Sequence, residues 1–161
     1  MKTRDFIEPI EFLNEIHKNG VKYVLIGRQA VIAYGGPVQS MDYDIFIDGR
    51  AKNTELLLSI AEKFDLYPSI SKEELNKTFM FKLENDFVVD VFRTGSFTSS
   101  RGKKIFFKDI YERKNVLKDP SGFEVNLPSI DDLIELKKLR GLPKDLNDIE
   151  YLETIKENFN K

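Results

Sequence analysis

The chain has 161 residues, 41% of them hydrophobic and 32% charged, with a formal net charge of -2. That balance excludes a disordered chain, sets one domain over residues 1–161 as the expectation, and confines any nucleic-acid contact to a local patch. With no cysteine and one histidine, His17, disulfide chemistry and thiolate or histidine-based zinc centres are excluded, so any metal must be held by oxygen, which favours magnesium or manganese.

Near the start, MKTRDFIEPI lacks the apolar run of a signal peptide, and nothing approaches the roughly 18 apolar residues of a membrane span. A cytoplasmic protein with no membrane partner is expected. Phe6, Ile7, Ile10, Phe12, Leu13 and Ile16 recur at spacings of three and four, which predicts an amphipathic helix ending near Asn19 and Gly20. His17, in its last turn, reads as a solvated imidazole favoured by the helix dipole, with a catalytic role as the alternative.

Val21 to Ile26 is nearly all apolar and predicts a central strand, broken at Gly27 and followed by a helix from Arg28 to Tyr34. Gly27 permits close backbone approach, and the helix N-terminus it opens is a natural place for a phosphate. After Gly35, Gly36 and Pro37 comes a second strand, in which Asp42, Asp44 and Asp48 alternate with Tyr43, Ile45 and Ile47. Period two puts Asp42 and Asp44 on one face, roughly 7 Å apart at Cα, where their repulsion calls for a cation between them. A calcium loop does not explain this stretch, because Phe46 and Ile47 stand where an oxygen ligand and a glycine are needed.

Asn53 or Thr54 is expected to cap a helix through Phe64 whose buried face is Leu56, Leu57, Ile60, Ala61 and Phe64, followed by a short edge strand within Leu66 to Ile70 and a turn of helix near Ser71 to Asn76. Thr78 to Leu83 and Phe87 to Phe92 flank a polar turn and predict a hairpin. Asp90 sits within its second strand and needs a partner, either Arg93 or a nearby lysine, or a metal ion. Thr94 to Lys104 reads as a flexible loop whose basic cluster, Arg101, Lys103 and Lys104, is either solvated or binds an RNA phosphate or pyrophosphate. Ile105 to Tyr111 predicts a short helix or an extended edge.

Asn115 to Leu117 and Phe123 to Leu127 bracket another turn, and their strands are expected to extend the sheet. Ser129 caps a helix in which Ile130, Leu133 and Ile134 share a face with Lys137 at its centre. Lys137 either snorkels past the core or reaches an anionic site. Gly141 ends that helix, Pro143 opens the next, and Leu146, Ile149, Leu152 and Ile155 are its expected buried stripe.

A strand ending in Gly27, a short helix, Asp42 and Asp44 on the next strand, and a later carboxylate at Asp90 together resemble the polymerase-β-like nucleotidyltransferase superfamily. The run LIELKKLRGLPKDLNDIEYL resembles the C-terminal helix pair of bacterial nucleotidyltransferases related to AbiEii, the toxin family of type IV toxin-antitoxin systems. The resemblance implies that Asp42, Asp44 and Asp90 hold Mg2+ or Mn2+ and carry catalysis. It also implies that Gly27, Arg28, Ser40, Lys137 and Lys144 bind a nucleoside triphosphate. Two departures are visible: Arg28 stands where the superfamily has a small Gly or Ser, and Val38 where an Arg is common. Arg28 is then a replacement phosphate ligand or a bulky side chain that fills the site.

The expected fold is α+β: a mixed, mostly antiparallel sheet flanked by helices, with a C-terminal helix pair closing one side. The expected activity is metal-dependent transfer of a nucleotide to a hydroxyl acceptor, whether an RNA end, a protein or a small molecule. A degenerate fold acting as a binding, antitoxin or regulatory module is the alternative, with RNA binding through Arg101 to Lys104 a third. Oligomeric state stays open.

Overall fold

Helix α1 (Pro9–Lys18) starts at Pro9, whose fixed φ suits a first helical turn, and buries Phe12, Leu13 and Ile16. The computed structural model describes residues 8–93, 96–98 and 102–159, so Phe6 and Ile7 of the predicted helix lie outside it. From there the described chain runs β1 (Tyr23–Ile26), α2 (Gly27–Ala33), β2 (Tyr43–Ile47), α3 (Ala51–Lys63), β3 (Tyr67–Pro68), α4 (Lys72–Leu75), β4 (Met80–Glu84) and β5 (Val88–Phe92). It continues with β6 (Ser96–Thr98), β7 (Lys104–Phe106), α5 (Phe107–Glu112), β8 (Asn115–Lys118), β9 (Glu124–Leu127), α6 (Ile130–Arg140) and α7 (Pro143–Phe159).

Five strands form the main sheet in the order β1-β2-β5-β4-β3. Only β2 and β5 run parallel; the other three pairings are antiparallel, so the sheet is mixed and mostly antiparallel as expected. Alternation splits its side chains between two apolar layers. Tyr23, Leu25, Ile45, Ile47, Val89 and Val91 face the larger core, which α1, α3 and the C-terminal helices complete. On the opposite face Val24, Ile26 and Phe46 pack with Ile105, Phe107 and Ile110. The carboxylates belong to this second face, with Phe46 two residues beyond Asp44.

The hairpin of β8 and β9 does not extend the sheet as expected. It forms a separate two-stranded ladder beside β1. Asn126 accounts for the difference: its side-chain amide donates to the Tyr23 carbonyl at 3.1 Å, and its backbone N–H donates to the Tyr23 hydroxyl at 3.1 Å. The edge of β1 is thus met by a side chain rather than a strand backbone. Burial pushes the Tyr23 hydroxyl well above its ordinary range.

Other expectations change as well: β1, expected to be central, stands at one end of the five-stranded sheet. Helix α3 starts at Ala51, ahead of the expected caps; Asn53 instead ties Lys22 to Asp48 by accepting from the Lys22 N–H and donating to both carbonyls. Thr94 to Lys104 is not simply a loop, because β6 pairs antiparallel with β7; Thr94, Gly95, Ser99, Ser100 and Arg101 lie outside the described residues. His17 is partly buried rather than simply solvated: its ring lies 3.0 Å from Glu124 Oε2 and 3.3 Å from the Tyr23 hydroxyl.

Helices α6 and α7 form the expected pair, joined at Gly141 in the left-handed conformation, φ 63°. Ser129 caps α6 by accepting the Asp132 N–H. Leu146, expected in the buried stripe of α7, is 61% exposed, whereas Asp145 and Asp148 are fully buried. Among the described residues no helix is long and apolar enough to cross a membrane.

Candidate active site

Register brings three ionisable side chains into one row across the sheet. Asp44 on β2 is the Cα partner of Asp90 on β5, and Asp90 is the partner of Lys82 on β4. Parallel neighbours in register show the same face, so the two carboxylates lie side by side and the charge of Asp90 reaches Asp44. Lys82 Nζ donates to Asp90 Oδ1 at 3.0 Å. Asp90 therefore does have a lysine partner, while Arg93 points elsewhere, to the carbonyls of Gly49 and Leu75.

Gly27 seals the inner side of the row. Its φ is +69°, in the left-handed region, and a Cβ added there would lie 2.5 Å from Asp44 Oδ2. Burial first, then the charge and hydrogen bond of Asp90, and more weakly Asp42, push the Asp44 carboxyl up to about 6, against a lowering by Arg140. Asp42 is exposed, immediately before β2, and its backbone N–H donates to Ser40 Oγ at 3.1 Å. The Ser40 carbonyl in turn accepts from Gln29 on α2. Ser40 thus shapes the approach to β2.

The second half of the site is a cluster of charges between α2, α6 and α7. Lys137, 4% exposed, donates to Asp148 at 2.9 Å and lies 3.5 Å from Asp145. Arg140 forks onto Asp145 with both Nε and Nη2. Arg28 lies 3.3 Å from Asp148 and also donates to the Gln39 carbonyl. Burial raises the Asp145 carboxyl, but Arg140, the Leu142 N–H and Lys137 outweigh it and hold it below the usual carboxylate range. Lys137 is thus neither snorkelling nor free, Arg28 is tied to α7, and Lys144 is exposed on the first turn of α7.

Between the sheet and α6 lies a cavity of about 310 Å³. Its walls are largely apolar, from Ile26, Phe92, Phe97, Leu133, Leu136 and Leu139, and Asp44, Lys137 and Arg140 are its charged groups. An apolar cavity with a few convergent polar groups is the usual form of a small-molecule site.

The donor set fits a hard divalent cation in kind: all oxygen, two carboxylates pressed together, and a repulsion in Asp44 that a cation would relieve. Among the described residues no three carboxylate or imidazole groups are clustered closely enough to form a ready cage, and the charge of Asp42 reaches Asp44 less strongly than that of Asp90.

Comparison with solved structures decides the fold. Lincosamide antibiotic adenylyltransferase LnuA, solved with lincomycin bound, superposes at a TM-score of 0.63 and 16% identity, over 94% of this chain and 99% of its own. A Thermotoga maritima protein classed as a nucleotidyltransferase gives 0.60 and 17%, over 94% and 90%. The fold is that of the nucleotidyltransferases. A third such structure, ANT(2")-Ia in complex with adenylyl-2"-tobramycin, gives a TM-score of 0.55 and 13% identity over 92% of each chain. No protein-family model matches the chain, and no curated protein matches it by sequence.

Lys82, Arg140, Asp145 and Asp148 were not among the site residues expected from sequence. The hairpin's symmetry about Asp86 pairs Lys82 with Asp90, which was a usable signal. Asp145 and Asp148, three apart on α7, face Lys137 and Arg140, three apart on α6, which only the helix packing reveals.

Proposed function

We propose that this nucleotidyltransferase fold is an active enzyme, moving a nucleotide from a nucleoside triphosphate to a hydroxyl acceptor with Mg2+ or Mn2+. The observation that carries the reading is the Asp44–Asp90 pair packed against the Gly27 turn, where no side chain fits between backbone and carboxylate. A bound divalent cation would neutralise the phosphates and polarise the acceptor hydroxyl. Asp42, Asp44 and Asp90 would hold it. Gly27 would let the phosphates approach the start of α2, and Arg28, Ser40, Lys137 and Lys144 would line the donor side. The cavity beside Asp44 suits an apolar portion of donor or acceptor.

Two of the similar structures act on or hold antibiotics, which makes a small hydroxylated acceptor one candidate here, beside an RNA end or a protein. The resemblance of the run LIELKKLRGLPKDLNDIEYL to AbiEii-related nucleotidyltransferases adds a role in a toxin-antitoxin pair.

A second reading has its own support. Arg28 and Lys137 both spend their charge on Asp148, which favours a degenerate fold that serves as a binding or regulatory module. Calorimetric titration of the four nucleoside triphosphates, with and without magnesium, into the wild type and Asp42→Asn separates the two. Magnesium-dependent binding lost in the variant supports the enzyme. No binding to any triphosphate would overturn it in favour of the module.

A further inference from the structure

Lys82 is the one member of the Asp44–Asp90–Lys82 row that the proposed function leaves without work. Its ammonium sits on Asp90 Oδ1 at 3.0 Å, with side-chain exposures of 45% for Lys82 and 23% for Asp90. The charges of Glu84 and Asp42 reach it as well. As a stabilising contact such a half-open pair contributes little. Its placement matters more than its strength, because the ammonium touches one of the carboxylates offered to metal and feels the charge of a second.

We propose that Lys82 takes the place of one of the two divalent cations that a carboxylate phosphoryl-transfer site commonly uses, so that this site loads a single ion. The inference rests on the nucleotidyltransferase reading above and deepens it. Asp90 is shared between Lys82 on one side and Asp44 on the other. A second divalent ion on Asp90 would have to compete with a cation already there, and like charges on one carboxylate repel. The same contact orients Asp90, since Oδ1 is committed to the ammonium. The absence, among the described residues, of three carboxylates clustered as a ready cage fits a site with fewer oxygen ligands than two ions require. Lys82 is thus a positioning residue and a built-in counter-charge.

The probe is Mn2+ with α,β-methylene-ATP, read by electron paramagnetic resonance, which distinguishes an isolated ion from a spin-coupled pair. The wild type is expected to give the isolated signal only. Lys82→Met, at a half-exposed position that tolerates substitution, is expected to give the coupled pair, and Lys82→Arg to keep the isolated signal. Thermal melting of each variant checks that the fold is retained. A coupled pair in the wild type, or an isolated ion in Lys82→Met, would overturn the inference and leave the nucleotidyltransferase reading standing. No protein-bound Mn2+ in the wild type would overturn both.

Discussion

Gly27 and Asp44 are packed so tightly that the backbone of one is the wall of the other's carboxylate: a single added methyl at Gly27 would sit 2.5 Å from Asp44 Oδ2. Gly27→Ala should therefore be costly twice over, through the positive φ, about 1–2 kcal/mol, and through displacement of Asp44. We expect it to lose magnesium-dependent triphosphate binding by calorimetry, and to melt lower by several degrees. Wild-type affinity in the variant would show that the turn does not shape the site.

Asp44 itself carries a pH signature. Its carboxyl rises from 3.8 to about 6 in the folded chain, chiefly through burial and then Asp90. The folded state binds this proton more tightly than the unfolded state, so the stability that the neutral form contributes is full below pH 4 and lost as pH rises through about 6. Two units correspond to about 3 kcal/mol, which partial exposure and coupling to Asp90 reduce to about 1–2 kcal/mol. Urea unfolding in chelator should show the wild type weakening by that amount between pH 4 and 7, and Asp44→Asn should flatten the slope. An unchanged slope would place the proton elsewhere.

On α7 the exposed leucine and the buried aspartate invert the usual expectation. Asp148→Ala leaves Lys137 buried beside a single remaining carboxylate and frees Arg28, a change worth about 3–5 kcal/mol. Leu146→Ala, at a 61% exposed site, should cost under about 0.5 kcal/mol. Equal losses in denaturant midpoint for the two variants would contradict this packing.

Tyr23→Phe tests the seating of the second hairpin. The hydroxyl accepts from the buried Asn126 N–H and contacts His17, and removing it leaves that N–H unpaired at about 1–3 kcal/mol. Hydrogen exchange at Asn126 should accelerate with the loss. Unchanged protection there would mean that the hairpin is held by other contacts.

Much of this protein is local and so could be read from the chain. The Gly27 break, the alternation from Tyr43 to Ile47, the hairpin around Asp86 and the Ser129 and Gly141 helix signals each depend on neighbouring residues and mark elements that form, although β2 starts one residue after Asp42. Periodicity also placed Lys137 on an apolar face. Which partners those residues meet depends on register and packing between elements far apart in sequence. Asp44 lies beside Asp90 only because β2 and β5 pair in parallel register, and Lys82 joins them because β4 follows on the far side. Lys137 is paired with two aspartates because α7 turns Asp145 and Asp148 inward, in place of Leu146. Sequence determined which side chains carry charge and which way they alternate. Tertiary structure alone decided which charges neutralise one another, because Coulomb energy and desolvation depend on separation in space and not along the chain.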